Sequence, residues 1–145
     1  MMEVTKPILR EGIMPNLASS TNSDVRAEVT GAYAAWDTAF NKADAKGVAT
    51  AYVSNAKVLP PTHQVISGPE EIEKFFAGLF SGGFTDHKLT IIDAGGDEKV
   101  VYSTAKWTAN GKGPDGSRQS AGGIATHVFE RQADGSLKLR LHTFN

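Results

Sequence analysis

The last twenty residues of the chain, 126–145, carry the pattern that most constrains its fold. Two segments of alternating side chains flank the dipeptide Asp134-Gly135, which is typical of a two-residue turn between antiparallel strands. Such a turn fixes the register, because each step away from it adds one residue on either strand. It predicts three facing pairs: Val128 with Leu141, Phe129 with Arg140, and His127 with His142.

This hairpin predicts two faces of different character, because side chains alternate along a strand. One face is apolar and carries Leu137, Leu139, Leu141 and Val128. The other mixes aromatic with titratable groups, namely Phe129, Phe144, Arg140, His127 and His142. The first face needs a cover, whereas the second indicates the floor of a pocket with polar groups.

Before the hairpin, helical periodicity comes first and strand periodicity follows. Three helices are predicted: Val25 to Phe40, a short one after Asp44 that carries Val48, Ala51 and Tyr52, and one from Gly68 to Phe80. A brief strand, Lys57–Pro61, pairs with Val65–Ser67, and longer strands are predicted at His87–Ala94, Lys99–Thr108, Gly122–Arg131 and Leu137–Phe144. Helices followed by an antiparallel meander predict an α+β fold.

The length of 145 residues fits one domain with a sizeable core. Residues 1–22 mix Pro, Gly, Ser, Thr and Asn without an apolar period, which predicts a flexible amino-terminal arm. Residues 23–145 form the single α+β domain.

Composition excludes several classes of function. Hydrophobic residues make up 40% and charged residues 21%, and the 15 Lys and Arg nearly balance the 16 Asp and Glu, so no basic surface for nucleic acid or membrane is expected. The absence of cysteine excludes disulfides, thiolate nucleophiles and thiolate metal sites. The first residues lack the apolar run of a signal peptide, and no segment is apolar enough to predict a membrane span. A cytoplasmic location is therefore expected.

Taken in order, a set of positions resembles the nuclear-transport-factor-two-like superfamily, with its ketosteroid-isomerase-like and SnoaL-like relatives. These positions are Trp36, Asp44, Tyr52, Val58–Pro61, Ile66–Gly68, Ile72–Phe76, Trp107, Gly122, Asp134-Gly135 and Phe144-Asn145. The chain looks most like the small proteins of that group, of unknown function, that share a Trp…Gly-Asp…Tyr…Leu-Pro-Pro…Gly signature. Here Ala43-Asp44 replaces the Gly-Asp pair. The resemblance covers roughly residues 25–145.

The resemblance implies a cystatin-like cone, in which three helices wrap a curved antiparallel sheet around an apolar pocket. It also implies a homodimer formed through sheet faces. The predicted face with Leu137, Leu139 and Leu141 is the surface expected to form that interface.

The catalytic groups of the ketosteroid isomerases are replaced in this chain. The family's general base falls on Pro60, its oxyanion-hole tyrosine on Trp36, and its second oxyanion-hole acid on His127. An indole N–H donates a hydrogen bond but does not ionise. Steroid isomerisation by that mechanism is therefore not expected.

Other chemistry depends on the polar face of the hairpin. In the family geometry His127, His142 and Arg140 would point into the cone, where the histidines would act in proton transfer and Arg140 would bind a carboxylate or a developing oxyanion. The alternatives are that these groups orient a ligand without reacting, or lie in solvent at the open end of the sheet. A metal site lacks an obvious third ligand, and no cofactor is expected.

The pocket is expected to be lined by Trp36, Tyr52, Pro60, Phe76, Phe80, Phe129 and Phe144 together with the polar groups. We therefore expect a domain that binds a small apolar or aromatic molecule. If this molecule carries a carboxylate, Arg140 is expected to bind it. An isomerase, cyclase or dehydratase acting on a small carbonyl or polyketide-like compound is the first alternative. A non-catalytic dimerisation module is the second.

Overall fold

A computed structural model describes residues 22–145 of the chain, with side chains from residue 24 onward. The predicted arm, residues 1–22, lies outside this part except for its last residue. The elements are α1 (Asn22–Asn41), α2 (Ala45–Ala49), β1 (Tyr52–Leu59), β2 (Ile66–Ser67), α3 (Gly68–Ser81), β3 (Thr85–Gly96), β4 (Val100–Lys112), β5 (Arg118–Arg131) and β6 (Leu137–Phe144). The predicted α+β class and three helices are confirmed.

The six strands form one curved, unclosed sheet in the order β2-β1-β6-β5-β4-β3. All neighbouring strands are antiparallel except β1 and β6, which run parallel, so the predicted antiparallel sheet includes one parallel pair. The parallel pair arises because the last strand returns beside the first one. A backbone bond of 2.8 Å from the Leu139 amide to the Ala51 carbonyl joins them at the start of β1.

Helix α1 packs its predicted apolar stripe against the sheet. Val25, Val29, Tyr33, Trp36 and Phe40 are all buried. Burial of five large side chains along one stripe is the main reason that this helix is stable in the fold, because α1 contains several weak helix formers. The same stripe brings Tyr33 and Trp36 over the inner surface of the sheet.

Helix α2 is shorter than predicted. The side chain of Asp44 accepts a 2.9 Å bond from the Gly47 amide, which confirms its role as the N-cap. The helix ends at Ala49, however, and Tyr52 begins β1 instead of continuing the helix. Pairing with β6 supplies hydrogen bonds and burial that a second helical turn would not, so tertiary contacts override the local pattern.

The connection between α1 and α2 places Ala43 in the left-handed region, with a φ of 55°. This conformation favours glycine, because a Cβ crowds the following carbonyl. We expect Ala43→Gly to raise the free energy of unfolding by about 1 kcal/mol. Urea denaturation would measure it.

Ala34→Gly, at an exposed position inside α1, is the matched control. It should lower stability by about 1 kcal/mol, because glycine is unfavourable inside a helix. Equal losses in both variants would contradict the proposed backbone strain at Ala43.

The β5–β6 hairpin turns differently from the prediction. The Gly135 amide bonds to the Gln132 carbonyl, the Gln132 amide bonds to the Ser136 carbonyl, and Gly135 has a φ of 87°. This is a three-residue connection in which a left-handed glycine follows a type I turn. The strand pairs nearest the turn are therefore displaced by one residue, and Phe129 faces Leu139 rather than Arg140.

A β-bulge at Arg140 then restores the predicted register. Val128 faces Leu141 and His127 faces His142, as predicted. Arg140 is the unpaired residue between the two pairing frames, and this extra residue interrupts the alternation of β6.

The bulge divides the predicted leucine face. Leu139 is buried and Leu137 packs against the core, so both belong to the inner side of the sheet with Phe129. Only Leu141 stays on the outer side, where it faces Val128. The prediction that the three leucines form one outer surface is therefore wrong.

Within residues 22–145, no helix combines the length and the apolar character needed to cross a membrane.

Candidate functional site

An apolar cavity of about 270 Å³ lies between α3, the inner face of the sheet and the end of α1. Its wall is built mainly from aromatic and aliphatic side chains, and the imidazoles among its described residues are those of His87 and His142. The wall includes Trp36, Phe40, Pro60, Phe76, Phe84, Leu89, Trp107 and Phe144. A cavity of this kind, with few polar groups in an apolar wall, suits a small and largely apolar molecule.

The ring of His87 is held by a carboxylate from α1. Its Nδ1 lies 2.7 Å from Oδ1 of Asp37, and the side chains are only 9% and 17% exposed, respectively. Oδ2 of Asp37 accepts a further 2.9 Å bond from the Leu89 amide, which fixes the carboxylate. An ionised carboxylate only accepts, so Nδ1 carries the proton and Nε2 keeps its lone pair when the ring is neutral.

The backbone of His87 is held by the same helix. Asn41, one turn after Asp37, accepts a 2.7 Å bond from the His87 amide and donates a 2.9 Å bond to the His87 carbonyl. These bonds replace strand pairing, because the β3–β4 register shifts between Thr85 and Lys88. The side chain of His87 nevertheless keeps the alternation of β3 and lies on the same face as Leu89, so both residues line the cavity.

Aromatic rings fix the plane of the His87 imidazole. Trp107 stacks on it with a centroid distance of 6.0 Å and an interplanar angle of 7°, while Phe40 and Trp36 approach at 4.7 Å and 4.9 Å. In the described part of the chain, Nε2 of His87 has no hydrogen-bond partner. The imidazole therefore presents a basic nitrogen beside the cavity, with its tautomer and orientation set by Asp37.

His142 is a buried residue in the wall of the same cavity and is held by a tyrosine. Its Nδ1 lies 2.9 Å from the Tyr52 hydroxyl, which also accepts a 3.2 Å bond from Nε1 of Trp36. Burial lowers the pKa of His142 well below its usual 6.5, with a further contribution from His127, and raises that of Tyr52 well above its usual value. Both groups are therefore neutral near pH 7.

His127 has a similar arrangement beside it. Its Nδ1 lies 2.8 Å from the Tyr33 hydroxyl, which also bonds to the buried hydroxyl of Ser103. Burial lowers the pKa of His127 to about 3 and raises that of Tyr33 to about 12. The rings of His127 and His142 lie side by side, with centroids 4.5 Å apart.

His127 and Phe129 line a second cavity, of about 280 Å³, between α1, α2 and the start of β6. Trp36 and Leu89 contribute to the walls of both cavities and so lie between them. The two predicted histidines therefore face different spaces, although they are adjacent in the sheet.

Arg140 does not join the histidines. Its guanidinium bonds to Glu130 at 2.7 Å, and both side chains are well exposed. The bulge described above directs Arg140 to the outer side of the sheet, so its predicted place on the histidine face is wrong. The apolar cavity has no Lys or Arg in its described wall, so a ligand carboxylate would lack a cationic partner there.

Most of the predicted lining is found at the first cavity. Trp36, Pro60, Phe76, Phe144 and His142 all contribute to its wall. Tyr52 lies one layer behind, against His142, and Phe80 packs on Phe40 with centroids 4.8 Å apart instead of lining the cavity. Residues 22–145 contain no cluster of three His, Asp or Glu side chains placed to hold a metal ion.

Asp37 and His87 were not predicted as site residues. They are 50 residues apart, so no spacing in the sequence joins them. One signal was present, because Asp37 follows Tyr33 by one helical turn and so places an acid beside the buried stripe of α1. A carboxylate there predicts a buried partner without naming it.

Comparison with known proteins identifies the fold. A ketosteroid isomerase-like protein from Erwinia carotovora atroseptica is 18% identical, with 86% of this chain and 96% of that chain covered and a TM-score of 0.74. An NTF2-like protein with a cystatin-like fold from Novosphingobium aromaticivorans is 13% identical, with coverages of 84% and 81% and a TM-score of 0.70. A protein from Streptomyces avermitilis, provisionally described as a dehydratase of the NTF2-like family, is 19% identical, with coverages of 86% and 97% and a TM-score of 0.70.

At these identities the structural similarity concerns the fold alone, and it agrees with the α+β architecture described above. No curated protein matches the sequence. A family model for the SnoaL-like domain matches residues 32–139, which is most of the described chain and includes Asp37, His87 and His127. The chain therefore belongs to the SnoaL-like family.

Proposed function

We propose that this protein binds a small, largely apolar compound in the 270 Å³ cavity and moves a proton on it with His87 as the base. The observation that carries the proposal is the Asp37–His87 pair beside an apolar wall. A base of this kind is effective because the carboxylate holds the imidazole in one tautomer and stabilises the imidazolium that forms when Nε2 takes a proton.

The other described groups of the cavity wall favour proton transfer over nucleophilic chemistry. The wall includes the Thr62 hydroxyl, but no bond joins Thr62 to His87, so a base-activated nucleophile is not built. Two of the similar structures carry names that refer to an isomerase and a dehydratase, and both reactions include proton transfer at carbon. A ligand that fills the apolar cavity would displace water from His87, and this strengthens electrostatic interactions with a reacting group.

The experiment is hydrogen exchange on a panel of aromatic and alicyclic ketones in D₂O, followed by proton NMR. We expect the protein to accelerate loss of the signal of protons next to the carbonyl for at least one bicyclic member. A saturating ligand that shifts the Trp107 and His87 resonances without any exchange would replace the catalytic proposal by pure ligand binding. No shift with any compound would overturn both.

We further propose a homodimer that forms through the outer face of the sheet. Val100, Tyr102 and Ile124 are 42–47% exposed on this face, and Val128 and Leu141 continue the patch across β5 and β6. Exposed apolar patches of this kind mark interaction surfaces, and a two-fold axis would place the same patch on both partners.

Ile124→Lys is expected to shift the protein toward the monomer, because it would place a charge in an interface that is otherwise apolar. Sedimentation velocity across a concentration series would measure the change. Val65→Lys is the matched control. Like Ile124, Val65 is an exposed β-branched residue, 64% accessible, but it lies outside this face. A wild-type protein that stays monomeric at all concentrations would exclude the dimer.

A further inference from the structure

Two residues belong to the walls of both cavities. Trp36 and Leu89 line the 270 Å³ cavity and the 280 Å³ cavity, whereas each of the other described wall residues lines one of them. The two spaces therefore lie back to back, and the side chains of Trp36 and Leu89 form a partition between them. Because the two volumes are nearly equal, opening this partition would about double the space that a ligand can occupy.

Trp36 is the firmly held part of the partition. Its Nε1 donates a 3.2 Å bond to the Tyr52 hydroxyl, and its ring stacks on Phe40 with centroids 5.3 Å apart. Phe76 meets the same ring edge-on at 5.4 Å. The indole is 6% exposed, so a ligand cannot displace it without breaking several buried contacts.

Leu89 is the smaller part of the partition. Its amide donates a 2.9 Å bond to Oδ2 of Asp37, the carboxylate that also holds the His87 ring, and this bond fixes the backbone of β3 at Leu89. The side chain lies on the inner side of the sheet but is only partly buried, as expected where empty space adjoins it on two sides. The size of this one aliphatic side chain therefore decides whether the two cavities are connected.

The volume of the first cavity limits what it can hold. A cavity of about 150 Å³ with an apolar lining is large enough to bind benzene. The 270 Å³ cavity is nearly twice that size, so it suits a compound with about ten or eleven non-hydrogen atoms. A longer compound has to pass the partition or extend into solvent beside the exposed residues Pro61 and Thr62.

We propose that Leu89 determines the length of the ligand by closing the first cavity toward the second. This inference rests on the proposed function in one respect, which is that the ligand binds in the 270 Å³ cavity; it does not depend on proton transfer. His87 and Leu89 share one face of β3 and are two residues apart, which places their backbones about 7 Å from each other. The partition therefore also determines how far a bound compound extends past the His87 imidazole.

The test uses the 4-alkylphenols from 4-ethylphenol to 4-octylphenol, which differ only in their number of methylene groups. Isothermal titration calorimetry measures their affinities. For the wild type we expect the affinity to rise about 3- to 4-fold per methylene, as burial of a CH₂ group implies, and to level off or fall beyond about 4-butylphenol. For Leu89→Ala we expect the rise to continue, so that the ratio of the 4-octylphenol to the 4-butylphenol affinity increases at least about 10-fold.

Leu79→Ala is the matched control. Leu79 is also a partly buried leucine in the wall of the first cavity, but it does not line the second. Its truncation leaves room for about three more carbons without joining the cavities, so the rise in affinity should end before 4-octylphenol. If Leu89→Ala does not fold, the pair Leu89→Val and Leu79→Val gives the same comparison with a smaller loss of packing.

Intermolecular NOEs then locate the terminal methyl group of 4-octylphenol. In Leu89→Ala this group is expected beside Phe129 and Leu139, which line only the second cavity, and in Leu79→Ala and the wild type it is not. A wild-type complex in which the methyl group already contacts Phe129 would overturn the inference, and that measurement needs no variant.

The affinities separate the two proposals. The same length limit in Leu89→Ala and Leu79→Ala would exclude the role of Leu89 and leave ligand binding in the first cavity intact. If the wild type and both variants bind none of the alkylphenols, the cavity is not a site for small apolar compounds, and the length limit fails together with the proposed function.

Discussion

Replacing His87 by glutamine is expected to lower the rate of proton exchange by about 10²–10⁴-fold, which is the usual contribution of a positioned general base. Glutamine keeps a polar side chain beside Asp37 but has no basic nitrogen. The affinity of the His87→Gln variant for the ketone that exchanges in the wild type should change little, because the apolar wall remains. The measurement is the exchange rate in D₂O, together with affinity from tryptophan fluorescence.

Asp37→Asn separates tautomer control from the presence of the imidazole. The asparagine amide can donate to Nδ1 of His87, which would move the ring proton to Nε2 and remove the base. A loss on the order of 10²–10⁴-fold is expected, since loss of the orienting carboxylate has effects of this size in related dyads. His63→Asn is the control, because His63 lies exposed in the β1–β2 connection with a φ of 66°, a conformation that asparagine tolerates. Unchanged exchange in both dyad variants would exclude His87 as the base.

Local patterns predicted most of the fold. The stripe of α1, the N-cap at Asp44 and the proline-led start of α3 are properties of neighbouring residues, and the structure confirms each. The end of α2 was wrong because strand pairing with β6, which is distant in sequence, decided the state of Tyr52.

The prediction that His127 faces His142 is correct because two errors in it cancel. The turn has three residues rather than two, and the bulge at Arg140 adds one residue in compensation. A β-bulge leaves little signal in a single sequence, because it depends on how the sheet curves and not on the residue itself. The same bulge explains why Arg140 and Leu139 lie on the opposite sides from those predicted.

The dyad could not be predicted from spacing. Asp37 is on the first helix and His87 lies at an irregular point of β3, and only packing of α1 against that edge brings them within 2.7 Å. The sequence therefore predicted an apolar cavity with histidines and assigned the basic role to His127 and His142, whereas we propose His87 for it.

The stability of the protein is expected to fall steeply below pH 6.5, because two histidines are buried in their neutral form. Burial holds the pKa of His127 at about 3 and that of His142 well below 6.5, whereas both would be near 6.5 in the unfolded chain. Below pH 6.5 the unfolded chain takes up protons that the folded protein does not. The contribution of the two histidines to the free energy of unfolding is therefore complete above about pH 6.5. It is lost progressively as the pH falls toward their pKa values in the folded protein.

The magnitude follows from the two protons. Well below pH 6.5 each histidine should contribute a loss that approaches about 1.4 kcal/mol per pH unit, so lowering the pH from 6.5 to 5 should remove about 3 kcal/mol in total. Urea denaturation at a series of pH values measures this slope. The carboxylates with lowered pKa values, such as Asp97 and Asp134, affect the free energy of unfolding mainly at lower pH. Between pH 6.5 and 5 the slope therefore comes mainly from the histidines.

Substituting each histidine in turn shows how much each imidazole contributes to the pH dependence of stability. His127→Gln and His142→Gln should each reduce it from about two protons to about one. If a glutamine variant does not fold, the wild-type slope alone still counts the protons taken up on unfolding. A wild-type slope near zero would mean that both histidines are already protonated in the folded protein.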